Sequence, residues 1–296
     1  MATIAENLQT IIDIKADIKT AIENKGVTVG DSSFADYPTL INNIPQENTG
    51  GGGGTIPAKI DVKEYGIKLG HSTFTEIPNF YDFSNVTDMS YMFYECRSLQ
   101  IHSLDTSKVT NMKDMFASCA SLTTIPQLDT SNVTDISRMF YYCSKLQSIP
   151  LLDTSNATKF SEMFNYCTKL TTIPQLNTSN ATNMMSMFGS CTSLKSIPLL
   201  DCGKVTGMAT LFGYSNVNSL TDLGGFKNLK ISITAYFLDK APNLTVESLM
   251  NVINNVYDLT ANGLSGQSLK FGSTNLNKLT DEQIAVATAK GWTLTA

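Results

Sequence analysis

Leu128–Leu151 reads LDTSNVTDISRMFYYCSKLQSIPL, and the same sparse apolar skeleton recurs on both sides of it. Its Phe140 belongs to a series, Phe93, Phe116, Phe140, Phe164, Phe188 and Phe212, with one spacing of 23 residues and four of 24. Three residues past each Phe stands Cys96, Cys119, Cys143, Cys167 or Cys191, then Ser215. Six residues past it comes Leu99, Leu122, Leu146, Leu170 or Leu194. A fixed period of this size predicts a solenoid, in which one coil cannot bury its own apolar face and must stack on its neighbours. Such arrays make long surfaces and seldom catalytic pockets, so binding or structure is expected before catalysis, and the chain is not expected to be an enzyme.

Within the unit, Leu146, Ile149 and Leu151 mark a strand around 146–151, with Pro150 at an irregular point because it lacks a donor. Asp129, Thr130, Ser131 and Asn132 supply turn chemistry. Val133, Ile136, Met139 and Phe140 recur at helical spacing and predict a short helix entered through Thr134 as N-cap. The expected fold class is an α/β repeat, a leucine-rich-repeat-like solenoid of parallel strands and short helices, running over 81–220.

The flanks differ in texture. Residues 1–46 read as a helical attachment and oligomerisation module, with Ile4, Leu8, Ile11, Ile14, Ile18 and Ile22 on one stripe. Lys15 falls in that seam, where a polar residue weakens a coiled coil but fixes its register. The stripe packs either on a following segment (Phe34, Tyr37, Leu40, Ile41, Ile44) or on further copies, a homo-trimer being favoured. Residues 47–55 hold the run Gly50–Gly54 and read as a tether. The alternation over 56–80 predicts an N-terminal cap, a hairpin of Ile60, Val62, Tyr65, Ile67 and Leu69. Residues 221–296 predict an α+β C-terminal cap, with strands at 229–233 and 269–271, helices at 246–257 and 280–290, and Trp292 in the core.

The net charge is -5 with no basic run, and only 16% of residues are charged, which argues against a nucleic-acid partner. No stretch approaches ~20 uninterrupted apolar residues, so no membrane insertion is expected. The start MATIAENLQT lacks the pattern of a secretory signal, so export is not expected. Of the six cysteines, five hold one repeat position; they predict a buried thiol ladder rather than disulfides or a metal site, with Cys202 outside it and the most reactive. No metal or cofactor is expected. Asn85, Asn132, Asn156 and Asn180 each begin an N-x-T triplet, read as turn and cap residues.

The recurring L-D-T-S-N-V-T-x-M-x-x-M-F-x-x-C-x-x-L-x-x-I-P, seen at Leu104–Met112 with Met115-Phe116 and Cys119, resembles the leucine-rich-like repeats of bacterial surface proteins of the BspA type. The resemblance covers about 56–296. Such repeats occur in bacterial adhesins and in virion proteins of phages infecting gut bacteria. At the front, Ile4-Ala5-Glu6-Asn7-Leu8, Lys25-Gly26 and Tyr37-Pro38 through Ile44 look like the N-terminal attachment modules of phage tail and fibre proteins. Together these imply a virion appendage of tail or head fibre type, joined to other virion proteins through its N-terminal module and recognising a host-surface glycan or protein. The alternatives are an adhesin on the bacterial cell surface and a passive capsid or tail decoration.

For the recognition face, the expected residues are the outward rows Thr124, Ser148 and Thr172, then Gln127 and Gln175. Beside the cysteine ladder, Tyr94, Tyr141, Tyr142 and Tyr166 are expected to form an aromatic patch. Rings stack on apolar sugar faces while amides and hydroxyls bond to polar groups.

Overall fold

The computed structural model describes residues 60–62, 69–72, 74–77, 81–234 and 236–296. The seam from Ile4 to Ile22, the 47–55 tether, and Tyr65 and Ile67 of the expected hairpin lie outside these. Two-residue strands β1 (Ile60–Asp61) and β2 (Tyr81–Asp82) open the described chain. Asp61–Ile77 and Phe83–Ala296 form one compact unit.

That unit is a repeat protein with short parallel strands. Parallel bridges run from Asp88 to Asn111, then to Asp135, Lys159, Asn183 and Gly207. The hydrogen bonds around each bridge reach both ways. Thr134 N–H donates to Thr110 of the preceding coil at 2.9 Å, and Ile136 N–H to Lys159 of the following coil at 3.2 Å. This slanted alternation is that of a parallel ladder. On the next face, Gln147 N–H donates to Thr123 and Lys195 N–H to Thr171. There the pairing reaches strand length only at β3 (Ser196–Ile197), which pairs with β5 (Asp222–Leu223). β4 (Leu200–Asp201) pairs with β6 (Phe226–Lys227), again in parallel.

The segment expected to be helical is not. Among the described residues 83–234 there is no α-helix. Instead, alternate residues divide the work. Arg138, Phe140 and Tyr142 donate their N–H groups to Ser161, Met163 and Asn165 of the next coil. Met139, Tyr141 and Cys143 donate to the residue three positions back in their own coil. Arg138 and Tyr142 are left-handed, with φ of 57° and 58°, as the third position of a type II turn requires. A helix would have needed the first set of donors for itself. The neighbouring coil's carbonyls take them, because each such bond also brings two apolar faces together.

The inward residues then stack by rows. Phe93, Phe116, Phe140, Phe164 and Phe188 are fully buried, and successive rings lie 5.5–6.0 Å apart within 13° of parallel. The stack continues through Phe212 to Phe237 at 6.4–6.5 Å. All six cysteines are free and buried. Each ladder thiol donates to a carbonyl of the preceding coil, as Cys143 does to Phe116 at 3.1 Å. Cys202 is not the reactive exception expected of it: it is 1% exposed, and burial pushes its thiol far up. Ser215 lies at the surface, so the ladder stops at Cys191.

Beyond the repeats, α1 (Val246–Asn255) starts at Thr245, whose side chain accepts from Ser248 N–H, and it buries Leu249, Val252 and Ile253. β7 (Gln267–Lys270) pairs in parallel with β8 (Trp292–Thr295). Between them lie α2 (Ser273–Leu276) and α3 (Asp281–Ala289), the latter held by a reciprocal Thr280–Gln283 capping box. Gly291 turns the chain at φ 85°, where a side chain would be strained. Trp292 is core, with its indole N–H on Tyr257 O at 2.8 Å. The strand expected at 229–233 shrinks to a single bridge, Ile233 to Leu269.

Candidate functional site

Two surfaces stand out on the repeats. The first is built at the left-handed turn that follows each buried Phe. Tyr142 and Tyr166 occupy one repeat position, both with positive φ (58° and 64°). With Phe140 and Cys143 inward on either side, the turn leaves these rings 41% and 38% exposed. The two rings stack at 4.1 Å and 15°, which places them in direct contact across adjacent coils. Tyr141 meets both edge-on, at 4.7 and 6.3 Å. A hydrogen bond to Tyr166 holds the Tyr142 hydroxyl above its ordinary range.

Arg138 supports this platform from beneath. Its guanidinium carbon lies 4.5 Å from the Tyr141 ring centre, a cation–π distance. Its Nε is 3.2 Å from a carboxylate oxygen of Asp114, one coil earlier and fully buried. Burial raises the Asp114 carboxyl, while the Arg138 charge and the Tyr91 hydroxyl pull the other way. Asp114 was missed in the sequence. The available signal was a carboxylate at a repeat position that elsewhere holds Arg138, Glu162, Ser186 and Thr210.

Tyr94 is not part of that platform. It packs with Tyr91 at 5.8 Å and His71 at 5.3 Å, and its hydroxyl bonds to Glu95. The smaller Ala117 and Ser118 occupy the coil between the two clusters. Thr124, Ser148 and Thr172 are exposed as a row, with Thr172 bridging to Ser196.

The second surface is a groove of about 940 Å³ along several coils, and Gln127 and Gln175 belong to it. It opens where main-chain pairing gives way to side chains. At β4–β6, Leu200 and Cys202 N–H bond directly to Gly225 and Lys227. One coil back, Gln175 Nε2 reaches Leu199 O at 2.7 Å and Thr178 Oγ1 reaches Asp201 O at 2.9 Å. Gln127 and Thr130 repeat this on Leu151 and Asp153 at 2.8 Å each. The rim carries Asp129, Asp153, Asn177 and Asp201. Each rim side chain accepts the N–H two residues on, at 3.0–3.1 Å. The Ser131 and Ser155 hydroxyls and N–H groups hold Asp129 and Asp153 below the usual carboxylate range.

Among the described residues, no group of three or more His, Cys, Asp or Glu converges as a metal site, and no helix is long and apolar enough to cross a membrane.

Similarity to known proteins fits this picture only coarsely. No curated protein matches the chain. A crystal structure of a leucine-rich repeat protein from Bacteroides ovatus is similar at 14% identity and a TM-score of 0.22, over 75% of this chain and 65% of that one. At that distance neither its geometry nor its role transfers. A family model described as a Mycoplasma protein of unknown function, DUF285, matches residues 68–172, 123–226 and 144–248. These overlapping matches span 68–248, more than half of the 296 residues, and the chain therefore belongs to the DUF285 family.

Proposed function

We propose that this is a non-enzymatic recognition protein of a bacterial surface, in which the repeats wind as one leucine-rich-repeat-like solenoid and hold a rigid aromatic platform toward a saccharide or protein. The observation that carries this reading is the stacked, exposed pair Tyr142–Tyr166, edged by Tyr141 and backed by the Arg138–Asp114 ion pair. Rings fixed by a backbone ladder lose little freedom on binding, so their contact area converts to affinity efficiently. The apolar seam of residues 4–22 would add copies and so turn weak contacts into firm adhesion.

The virion-appendage reading rests on the resemblance of residues 4–44 together with that of the repeats, which is shared with the bacterial-surface reading. Mass spectrometry of purified phage particles and of bacterial envelopes separates the two locations.

The test is attachment of labelled protein to bacterial cells, comparing the native chain with Tyr142→Ala/Tyr166→Ala. Both side chains are partly exposed, so the fold should survive, as circular dichroism would show. Attachment should weaken roughly tenfold or more. Unchanged attachment by a folded variant would remove the platform.

A further inference from the structure

The groove beside Gln127 and Gln175 is a different surface from the platform, and its chemistry points to its own ligand. We propose that it is a second binding site, for a linear, neutral polyhydroxylated chain: an oligosaccharide lying across the coils, one sugar unit per coil.

Three features select that class. The groove crosses the coils, so its chemistry repeats once per coil. Asp129, Asp153, Asn177 and Asp201 hold one repeat position along it, and Leu151 and Leu199 alternate with Gln127 and Gln175 at another. A glycan repeats one hydroxyl-bearing unit along its length, so it can meet the same groups in successive coils.

The donors and acceptors also match hydroxyls. The groove's carbonyls at Leu151, Asp153, Asn177, Leu199 and Asp201 are already taken by Gln and Thr side chains. Among the described residues, none accepts a hydrogen bond from the backbone N–H groups of Asp129, Asp153 and Asn177. Asp129 and Asp153 each commit one oxygen to their own turn and leave the other for a ligand, whereas Asn228 and Lys227 engage both oxygens of Asp201. Hydroxyls both donate and accept, so they satisfy both kinds of group at once. A polyanion would meet three carboxylates against one lysine, Lys227, which is itself paired with Asp201.

Leu151 supplies the remaining element. It is 62% exposed and, with the half-buried Leu199, sets apolar surface beside the rim carboxylates. Sugar C–H faces pack on such side chains, while their hydroxyls reach the rim. Gln127 and Gln175 at the same repeat position reach across to close the next coil; Leu151 cannot, and leaves the groove open there.

The experiment is calorimetric titration of the full chain with four probes: cellohexaose, chitohexaose, mannohexaose and maltohexaose. At least one should bind, and its monosaccharide should bind far more weakly. Leu151→Glu, at an exposed position, and Asp153→Asn, which keeps the turn as Asn177 does, should each weaken binding roughly tenfold. Tyr142→Ala/Tyr166→Ala should leave it unchanged, so failure here and failure of the platform are separate results. Binding that ignores Leu151→Glu and Asp153→Asn, or follows the tyrosines instead, would overturn the groove assignment. So would the absence of binding to all four probes by folded protein.

Discussion

The Cys167 thiol donates to the carbonyl oxygen of Phe140, one coil earlier, at 3.1 Å. The same oxygen accepts the Cys143 N–H at 3.0 Å, so both of its lone pairs are used. The arrangement recurs along the ladder, and it explains a cysteine where alanine would pack as well. The position needs a small, apolar side chain that still carries one weak donor.

Replacing Cys143 with alanine removes one such bond and a buried sulfur. The expected cost is about 1–2 kcal/mol, read as a lower urea midpoint with unchanged slope.

The same ladder makes stability depend on alkaline pH. Burial pushes the Cys143 and Cys191 thiols up to about 12, whereas an unfolded thiol sits near about 8.5. The folded state therefore holds protons that the unfolded state has lost. Stability is full below about pH 8.5 and falls as pH rises toward about 12, by about 1.4 kcal/mol per thiol per pH unit. Urea midpoints measured from pH 8 to pH 10 should decline, and Cys143→Ala should decline less steeply; a flat profile would show thiols that reach water.

Phe164 lies between Phe140 and Phe188, at 5.8 and 6.0 Å, and is fully buried. Phe164→Ala opens a cavity shared by three coils and should cost about 3–5 kcal/mol. Thermal unfolding should remain a single transition at lower temperature, since neighbouring coils depend on one another.

Ser118 holds a left-handed backbone at φ 63°. A β-branched residue there is strained, so Ser118→Val should destabilise by about 1–2 kcal/mol, while Ser118→Gly should be close to neutral. Equal effects from both would show that the turn is not what its backbone geometry indicates.

Arg138→Ala strips the buried Asp114 of its counter-charge, at a cost of about 3 kcal/mol near neutral pH. Asp114 is already raised by burial, so the folded state takes up its proton before the unfolded state does. The deficit should shrink as pH falls toward the carboxylate range, because the protonated acid needs no partner. Chemical denaturation at pH 7 and pH 4 gives the comparison.

The inward rows were legible because burial leaves a periodic trace: Phe, Cys and Leu at fixed offsets could only face a shared core. The C-terminal helices expected at 246–257 and 280–290 are present as Val246–Asn255 and Asp281–Ala289, because their apolar spacing has no neighbouring coil to compete for its backbone donors. The helix expected at Val133–Phe140 is absent, and the apolar spacing there could not show this, because a run of i to i−3 turns puts apolar residues at nearly the same spacing. What decides between them is the preference of Arg138, Phe140 and Tyr142 for carbonyls 23 residues further along. The tyrosine platform was partly visible; Tyr141, Tyr142 and Tyr166 meet, and Tyr94 does not. The groove was invisible except through Gln127 and Gln175, since a gap between two coils is written in neither of them.

The in-register burial of one coil's Phe, Cys and Leu against the next is tested most directly by counting reactive thiols. Intact-mass measurement after brief maleimide treatment should show no label on the native chain and six after unfolding. Rapid labelling of several ladder cysteines in native protein would contradict the stacked core on which both proposed surfaces stand.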